Sequence, residues 1–351
     1  MNLKEMYKQK LMSAEQAVKM VKNGTEVWIG IAVPAPLALV NALVDREPEV
    51  EDITINHIVD LYPQNTWHKL NRETNIKVDC GYPTSCRDRV VSGDFTLTPN
   101  RFHELPKIYT DENFRPMHVA MIMVTPMDRH GYFCLGLGAD ATLAIAKNAA
   151  RRRRQGDDRY VVLAQVNNQV PRSRGVNYVH ISEIDAIVEY DQDLAVLPET
   201  IDITEEEMTI GRYCAEFVKD GSTIQLGIGS IPNAVAKAFL DTHVQDLGIH
   251  SEMACDTMRD LWEAGIVTNR RKTFMPYRSI FTFAMGSRRL YDWIDDNPGI
   301  EFHPVDFVNN PHIIGKNDNM VSINACLQVD LTGQICSESL GYKQYTHQAD
   351  S

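Results

Sequence analysis

Apolar residues along this chain gather in short runs separated by amphipathic stretches. The runs "DITINHIV", "HVAMIMVTP", "RYVVLAQVN" and "HISEIDAIVEY" are rich in β-branched residues and predict strands. Near the start, "SAEQAVKMVKNGTEVWIGIAVPAPLALVNAL" predicts a helix capped by Ser13, with Gln16 three residues on. A turn at Asn23-Gly24, a strand, a turn at Gly30 and a second helix follow. Past the middle, "TEEEMTIGRYCAEFVKDGSTIQLGIGSIPNAVAKAFL" spells the same plan. Thr204 caps with Glu207, Asp220-Gly221 turns, "STIQL" is the strand, "GIGSIP" the turn, and Asn233 begins the next helix.

Strands alternating with amphipathic helices predict an α/β fold with parallel sheets. The repeated plan predicts two similar open α/β domains packed together. Pro198 and the acidic run in "VLPETIDITEEE" break the pattern. The expected division is an N-terminal domain over 1–196, a linker over 197–206 and a C-terminal domain over 207–351.

Composition narrows the function. A formal charge of −12 and a pI near 5.4 argue against nucleic acid or an anionic membrane as partner, since both require a cationic face. The opening "MNLKEMYKQKLMSAEQ" has no apolar signal region and no run reaches membrane-spanning length, so a cytoplasmic protein is expected. Seven cysteines are scattered without C-x-x-C pairs and are expected to be reduced thiols. The His and Cys residues show no ligand spacing, so no metal is expected.

Two stretches carry candidate chemistry. In "LGIHSEMACD" the strand-like Leu247 to His250 runs into Ser251 and Glu252, where an apparent helix opens. A carboxylate at the mouth of a buried strand needs a partner or a cleft. It can serve as a base or a nucleophile, or simply as an acid favoured by a helix N-terminus. In "GIGSIP" the strand ends at Leu226, and Gly227 and Gly229 let the backbone approach a ligand before the helix starts. Ligands of open α/β sheets bind at the carboxyl ends of strands, so both stretches belong at one rim. The turn is neither a dinucleotide fingerprint nor a P-loop, and it also reads as a plain tight turn.

Other features have plainer explanations. Arg151 to Arg154 suit the C-terminal end of a helix. Asn167, Asn168 and Arg172 lie just beyond a strand and could orient a small carboxylate, or form a loop that bonds to itself. Cys255 follows Glu252 by three residues and is expected to be a buried, inert thiol.

Several segments together, "GIGSIPNAVAKAFLDTHVQDLGIHSEM", "LWEAGIVTNRRKTF", "FAMGSRRLYDWIDDNP", "FHPVDFVNNP" and "NDNMVSINACLQVDLTGQICSESLGYKQY", closely resemble the acetyl-CoA hydrolase/transferase family. Within that family the resemblance is to the 4-hydroxybutyrate and butyrate:acetate CoA-transferases. The first half agrees through "VTPMDRHGYFCLG", "AQVNNQVPRSRG" and "HISEID".

The resemblance implies two α/β domains with the active site between them, and an acyl-CoA:carboxylate CoA-transferase of short-chain acids. An acyl-CoA hydrolase, or a non-catalytic or partner-dependent subunit of a split CoA-transferase, is the alternative. It implies Glu252 as nucleophile and Gly227, Ile228, Gly229, Ser230 and Ile231 as coenzyme A contacts. Gly286 in "FAMGS" and the backbone near Leu327 would line the CoA channel, although a buried strand residue is the plainer expectation for Leu327. Acyl-CoA and a short-chain carboxylate would be substrates, with no permanently bound cofactor and a homo-oligomeric assembly. After "GYKQY" the family continues with a glycine-rich "SG-x-GGQ"-like loop, whereas this chain reads from Thr346 to Ser351. The second domain is therefore expected to be incomplete, or completed by a separate chain, with activity reduced.

Overall fold

A computed structural model of the chain describes residues 2–62, 66–199, 202–227 and 229–344. The first half builds one seven-stranded sheet in which every neighbouring pair is parallel. Its order is Ala186–Glu189, Val161–Val166, Val119–Val124, Glu26–Ile31, Ile53–Ile58, Ile76–Cys80 and Thr96–Leu97. These strands are almost wholly buried because both faces are covered. The two-residue period sends Val27, Ile29, Ile55 and Met121 into one core cluster, and Trp28, Ala120 and Ile122 into the other. Helix Leu37–Asp45 supplies Leu39, Val40 and Leu43 to the first cluster; helix Thr142–Arg154 supplies Ile145, Ala146 and Ala149 to the second. Each fully buried branched side chain contributes about 1.5–3 kcal/mol.

Three of the four predicted strands form where the pattern placed them. The fourth, "HISEIDAIVEY", becomes a strand only over Ala186–Glu189. Its first part is a capped 3₁₀ turn, Ile181–Glu183, in which the His180 ring accepts the Ser182 amide and Glu183 reaches back to the His180 amide. The capping exchange outweighs β propensity there.

Both repeated units fold as helix, strand, helix. The first is helix Ala14–Ala17, strand Glu26–Ile31 and helix Leu37–Asp45; the second is helix Glu205–Ala215, strand Thr223–Leu226 and helix Ser230–Thr242. Both predicted capping boxes form, Ser13 with Gln16 and Thr204 with Glu207. The last helix starts at Ser230, three residues before Asn233, because Pro232 is tolerated in a first turn whose amides lack intrahelical partners.

The second half forms a shorter, broken parallel sheet. Met320–Ile323, Thr223–Leu226 and Gly248–Ile249 lie side by side, and the bridge from His250 to Ile280 links them to Ser279–Phe281 and Ile300–Phe302. Arg174–Gly175 of the first half pairs with Ile300–Phe302 and extends this sheet. Two antiparallel hairpins follow, Gln328–Val329 with Ile335–Cys336 and Ser339–Leu340 with Lys343–Gln344, leaving Val329, Leu331, Ile335 and Tyr342 exposed. Among the described residues no helix is long and apolar enough to cross a membrane.

Candidate active site

The strand register brings the two candidate stretches together. Thr223 pairs with Gly248 and Ile224 with Ile249, and the Ser251 hydroxyl points to the Leu226 carbonyl at 3.5 Å. Gly227 and Glu252 therefore follow adjacent parallel strands at the same carboxyl-end rim. Gly229 has φ +117°, which favours glycine, and a Cβ there would meet nothing within 4 Å. It is the backbone angle, not crowding, that calls for glycine, and the helix from Ser230 starts at once.

Glu252 does not open a helix, contrary to its local pattern. The residues after it, Met253–Ala254, pair as a strand with Phe283–Ala284, and the helix is Asp256–Glu263. The acid in the first helical turn is Asp256, so the dipole explanation applies to that residue instead. Glu252 sits between two strand segments, half-buried, with its carbonyl accepting the amides of Thr282 (2.9 Å) and Phe283 (3.3 Å). Its Oε2 accepts from Nδ2 of Asn309 at 2.5 Å.

Asn309 ends the short helix Val305–Val308, and that turn is fixed from two sides. The Val305 amide donates to the Asp140 carbonyl at 3.2 Å, and His250 Nε2 donates to the Val308 carbonyl at 2.8 Å. Burial pushes the His250 imidazole down to about 4, so it is neutral at physiological pH. From the first half, the Ala139 amide donates to the Thr282 carbonyl at 2.9 Å, and the Ala284 amide to the Leu137 carbonyl at 2.8 Å. The carboxylate thus stands where loop 135–140 of the first half is stitched to the second.

Beside it opens a cleft of about 490 Å³. One wall is a single face of the helix from Ser230, with Asn233 and Lys237 a turn apart; Cys255, Asp256 and Thr257 form another, and Met285 and Gly286 close it. Glu252 is not among the lining residues. Asp256 accepts the Ser287 amide at 2.7 Å and pairs with the buried Arg259 at 2.5 Å. A Cβ at Gly286 would lie 2.4 Å from Asp256 Oδ2, so glycine is needed for this approach. Burial pushes the Cys255 thiol up to about 11, which keeps it protonated and unreactive.

The remaining sequence candidates fall as follows. Gly229 and Gly286 line the cleft, and Gly227 lies at its strand end. Ser230 donates its hydroxyl to Glu207, and Ile231 is half-buried in the first helical turn. Ile228 lies outside the described residues, as does the chain from Tyr345 onward. Leu327 is only half-buried, contrary to expectation, with its amide donating to the Cys336 carbonyl at the base of the first hairpin. Asn167 is fully buried, donating to the Gln192 carbonyl at 2.9 Å and accepting the Gln169 amide. Asn168 binds Asp191, and the Arg172 guanidinium donates to Thr125 Oγ1 and the Pro126 carbonyl. These three bond mainly across to other segments, at Gln192, Asp191 and Thr125–Pro126, rather than within their own loop, and none of them lines the cleft.

Known proteins decide what such a site belongs to. The profile of the acetyl-CoA hydrolase/transferase N-terminal domain matches residues 1–198, and that of the C-terminal domain matches residues 286–350. The chain belongs to the acetyl-CoA hydrolase/transferase family. It is 44% identical to succinyl-CoA:cyclohexane-1-carboxylate CoA transferase of Geobacter metallireducens, over 97% of this chain and 74% of that protein. It is 41% identical to 4-hydroxybutyrate coenzyme A transferase of Clostridium kluyveri, over 98% of this chain and 77% of the relative. The crystal structure of RipA from Yersinia pestis superposes with a TM-score of 0.88 at 35% identity, covering 97% of this chain and 78% of RipA. With relatives of this kind over nearly its whole length, the chain is a CoA-transferase.

Around this candidate site, sequence reasoning did not single out Asn309, Lys237 or Asp256. Asn309 stands 57 positions from Glu252, and no local pattern joins them. The doubled asparagine before Pro311 was its only signal, and half of that is a helix cap, since Asn310 accepts the His312 amide. Lys237 is visible as a cation two turns into the glycine-started helix.

Proposed function

We propose that the chain transfers coenzyme A between short-chain carboxylic acids, with Glu252 as the covalent acceptor. The observation that carries this reading is a half-buried carboxylate at the shared strand rim, held by Asn309 next to a cleft with a glycine turn and a lysine. Glu252 attacks the acyl-CoA carbonyl, the C–S bond breaks, and an acyl-glutamyl anhydride and CoA thiolate form. The thiolate attacks the glutamyl carbonyl, expels the first carboxylate and leaves a glutamyl-CoA thioester. The second carboxylate attacks this thioester, giving a new anhydride and the thiolate again. The thiolate then takes the new acyl group and frees Glu252. Each step conserves the acyl bond energy as long as water is kept out. The Asn309 amide orients the carboxylate for attack and is placed to donate to the oxyanion that forms on the same carbon.

The nucleotide end of coenzyme A fits the cleft. Amides free at the start of the helix from Ser230 and the ammonium of Lys237, exposed two turns along one wall, both favour phosphate. Gly227, Gly229 and Gly286 allow the backbone to approach the pantetheine arm.

The test is acceptor dependence. Purified protein is given butyryl-CoA with and without acetate, and free CoA and acetyl-CoA are followed. Formation of acetyl-CoA only with acetate, with little free CoA, supports transfer. Release of free CoA at the same rate without acetate would make the chain a hydrolase.

A further inference from the structure

The first half holds a second group of reactive side chains that the CoA chemistry does not use. His57 and Cys80 are register partners on the parallel strands Ile53–Ile58 and Ile76–Cys80, so their side chains share one face at the carboxyl end of the sheet. The chain then loops through 81–85 and returns Cys86 to the same spot, where it precedes the short helix Arg87–Val91. Cys86 Sγ lies 3.2 Å from Cys80 Sγ and 4.0 Å from His57 Nε2. One ligand atom from each of the three lies within 4.8 Å of the others, and all three residues are buried, at 2% exposure or less. His57 Nδ1 is buried without a hydrogen-bond partner, and the Trp67 ring covers the imidazole with centroids 3.9 Å apart.

We propose that His57, Cys80 and Cys86 form a binding site for one zinc ion that fastens loop 81–86 to the strand ends. The chemistry of the set supports this. Two thiols and an imidazole make poor hydrogen-bond partners for one another in a core. Thiolate and imidazole are the ligands that soft d¹⁰ ions select. At ordinary Zn–S and Zn–N lengths, ligand atoms around a tetrahedral ion stand about 3.5–3.8 Å apart. The 3.2 and 4.0 Å separations bracket that range, and the third pair lies within 4.8 Å. On binding, each thiol loses its proton to solvent as its sulfur bonds the metal. Two thiolates and a neutral imidazole then balance the double positive charge, and no electron is transferred. The fourth position is left for a solvent oxygen. The loop itself is already shaped for return, because Asp60 accepts the Ser85 hydroxyl at 2.8 Å and pairs with His68 at 2.8 Å.

The linear spacing hides this cluster. Cys80 and Cys86 are six positions apart without a recognised motif, and His57 comes from another strand, so the expectation of no metal had no means of seeing it.

The test uses the full chain, reduced and metal-stripped without oxygen, and titrated with Co²⁺. The expected result is a saturable thiolate-to-cobalt charge-transfer band at one equivalent, displaced by Zn²⁺. It should fall at least tenfold in Cys80→Ser and Cys86→Ser and persist in Cys255→Ser. Native mass spectrometry of the unsubstituted chain should show one added zinc, which keeps the test valid if a serine variant fails to fold. Absence of band and bound zinc in folded protein would overturn the site. So would a band that survives both serine substitutions. A Cys80–Cys86 disulfide in the isolated protein, with no metal taken up after reduction, would overturn it in favour of a dithiol pair.

Discussion

The two sheets of this molecule differ in the way that matters for function. The first has seven parallel strands, most of them five or six residues long and buried on both faces. The second is assembled from strands of two to four residues, borrows Arg174–Gly175 from the first half, and ends in hairpins whose apolar side chains face solvent. The larger buried core lies around the first, and the proposed chemistry at the second. Short strands leave gaps between them, and Glu252 occupies such a gap, between Gly248–Ile249 and Met253–Ala254. A long continuous strand there would have paired its backbone and left no rim for a reacting carboxylate.

This contrast can be broken or sharpened by substitution. The largest effect is expected at the second sheet without loss of fold: Glu252→Gln should lower turnover by ~10⁴-fold or more, as removal of a covalent nucleophile does, while its melting temperature stays close to that of the unsubstituted chain. In the first sheet Ile122, fully buried, should show the reverse. Ile122→Ala is expected to cost about 2–5 kcal/mol in denaturant unfolding, with turnover per folded molecule unchanged.

An intermediate effect is expected from His250, which touches both properties. Its folded-state pKa lies near 4, below the usual 6.5, because burial disfavours the charged ring. A depressed histidine adds stability that is complete above pH 6.5 and is lost as pH falls toward 4. The loss is roughly 3 kcal/mol for a shift of this size. The pH profile of unfolding should therefore flatten across that window in His250→Gln, and an unchanged profile would remove His250 from the account. A smaller effect is expected at the cleft. Lys237→Ala should raise the KM for acyl-CoA about fivefold, the cost of ~1 kcal/mol for an exposed phosphate pair, with kcat retained. The smallest is at the first hairpin, where Leu331→Ser should alter stability by less than about 0.5 kcal/mol, since that side chain is fully exposed.

The same contrast explains what was legible in the sequence. Long apolar runs bounded by turns gave the strands Ile53–Ile58, Val119–Val124 and Val161–Val166, and the two capping boxes announced their helices. Where local bonding competes, as at His180 to Glu183, alternation misled. In the second sheet, two-residue strands carry no periodicity, so the environment of Glu252 read as a helix start. The carboxylate and the glycine turn were visible because each is locally odd. Asn309 was not, because its role depends on a contact across 57 positions. Arg172 looked like a substrate anchor because its type suits one, but the loop uses its guanidinium to hold Thr125 and Pro126.

The central claim, that Glu252 becomes covalently attached to coenzyme A, is tested most directly by peptide mass mapping. The purified chain is incubated with butyryl-CoA and treated with borohydride, beside Glu252→Ala. The account predicts a glutamyl-CoA adduct on the peptide that carries Glu252, converted by borohydride to the reduced alcohol at that residue and absent from the variant. An adduct at any other residue, or acyl exchange that persists in Glu252→Ala, would contradict it.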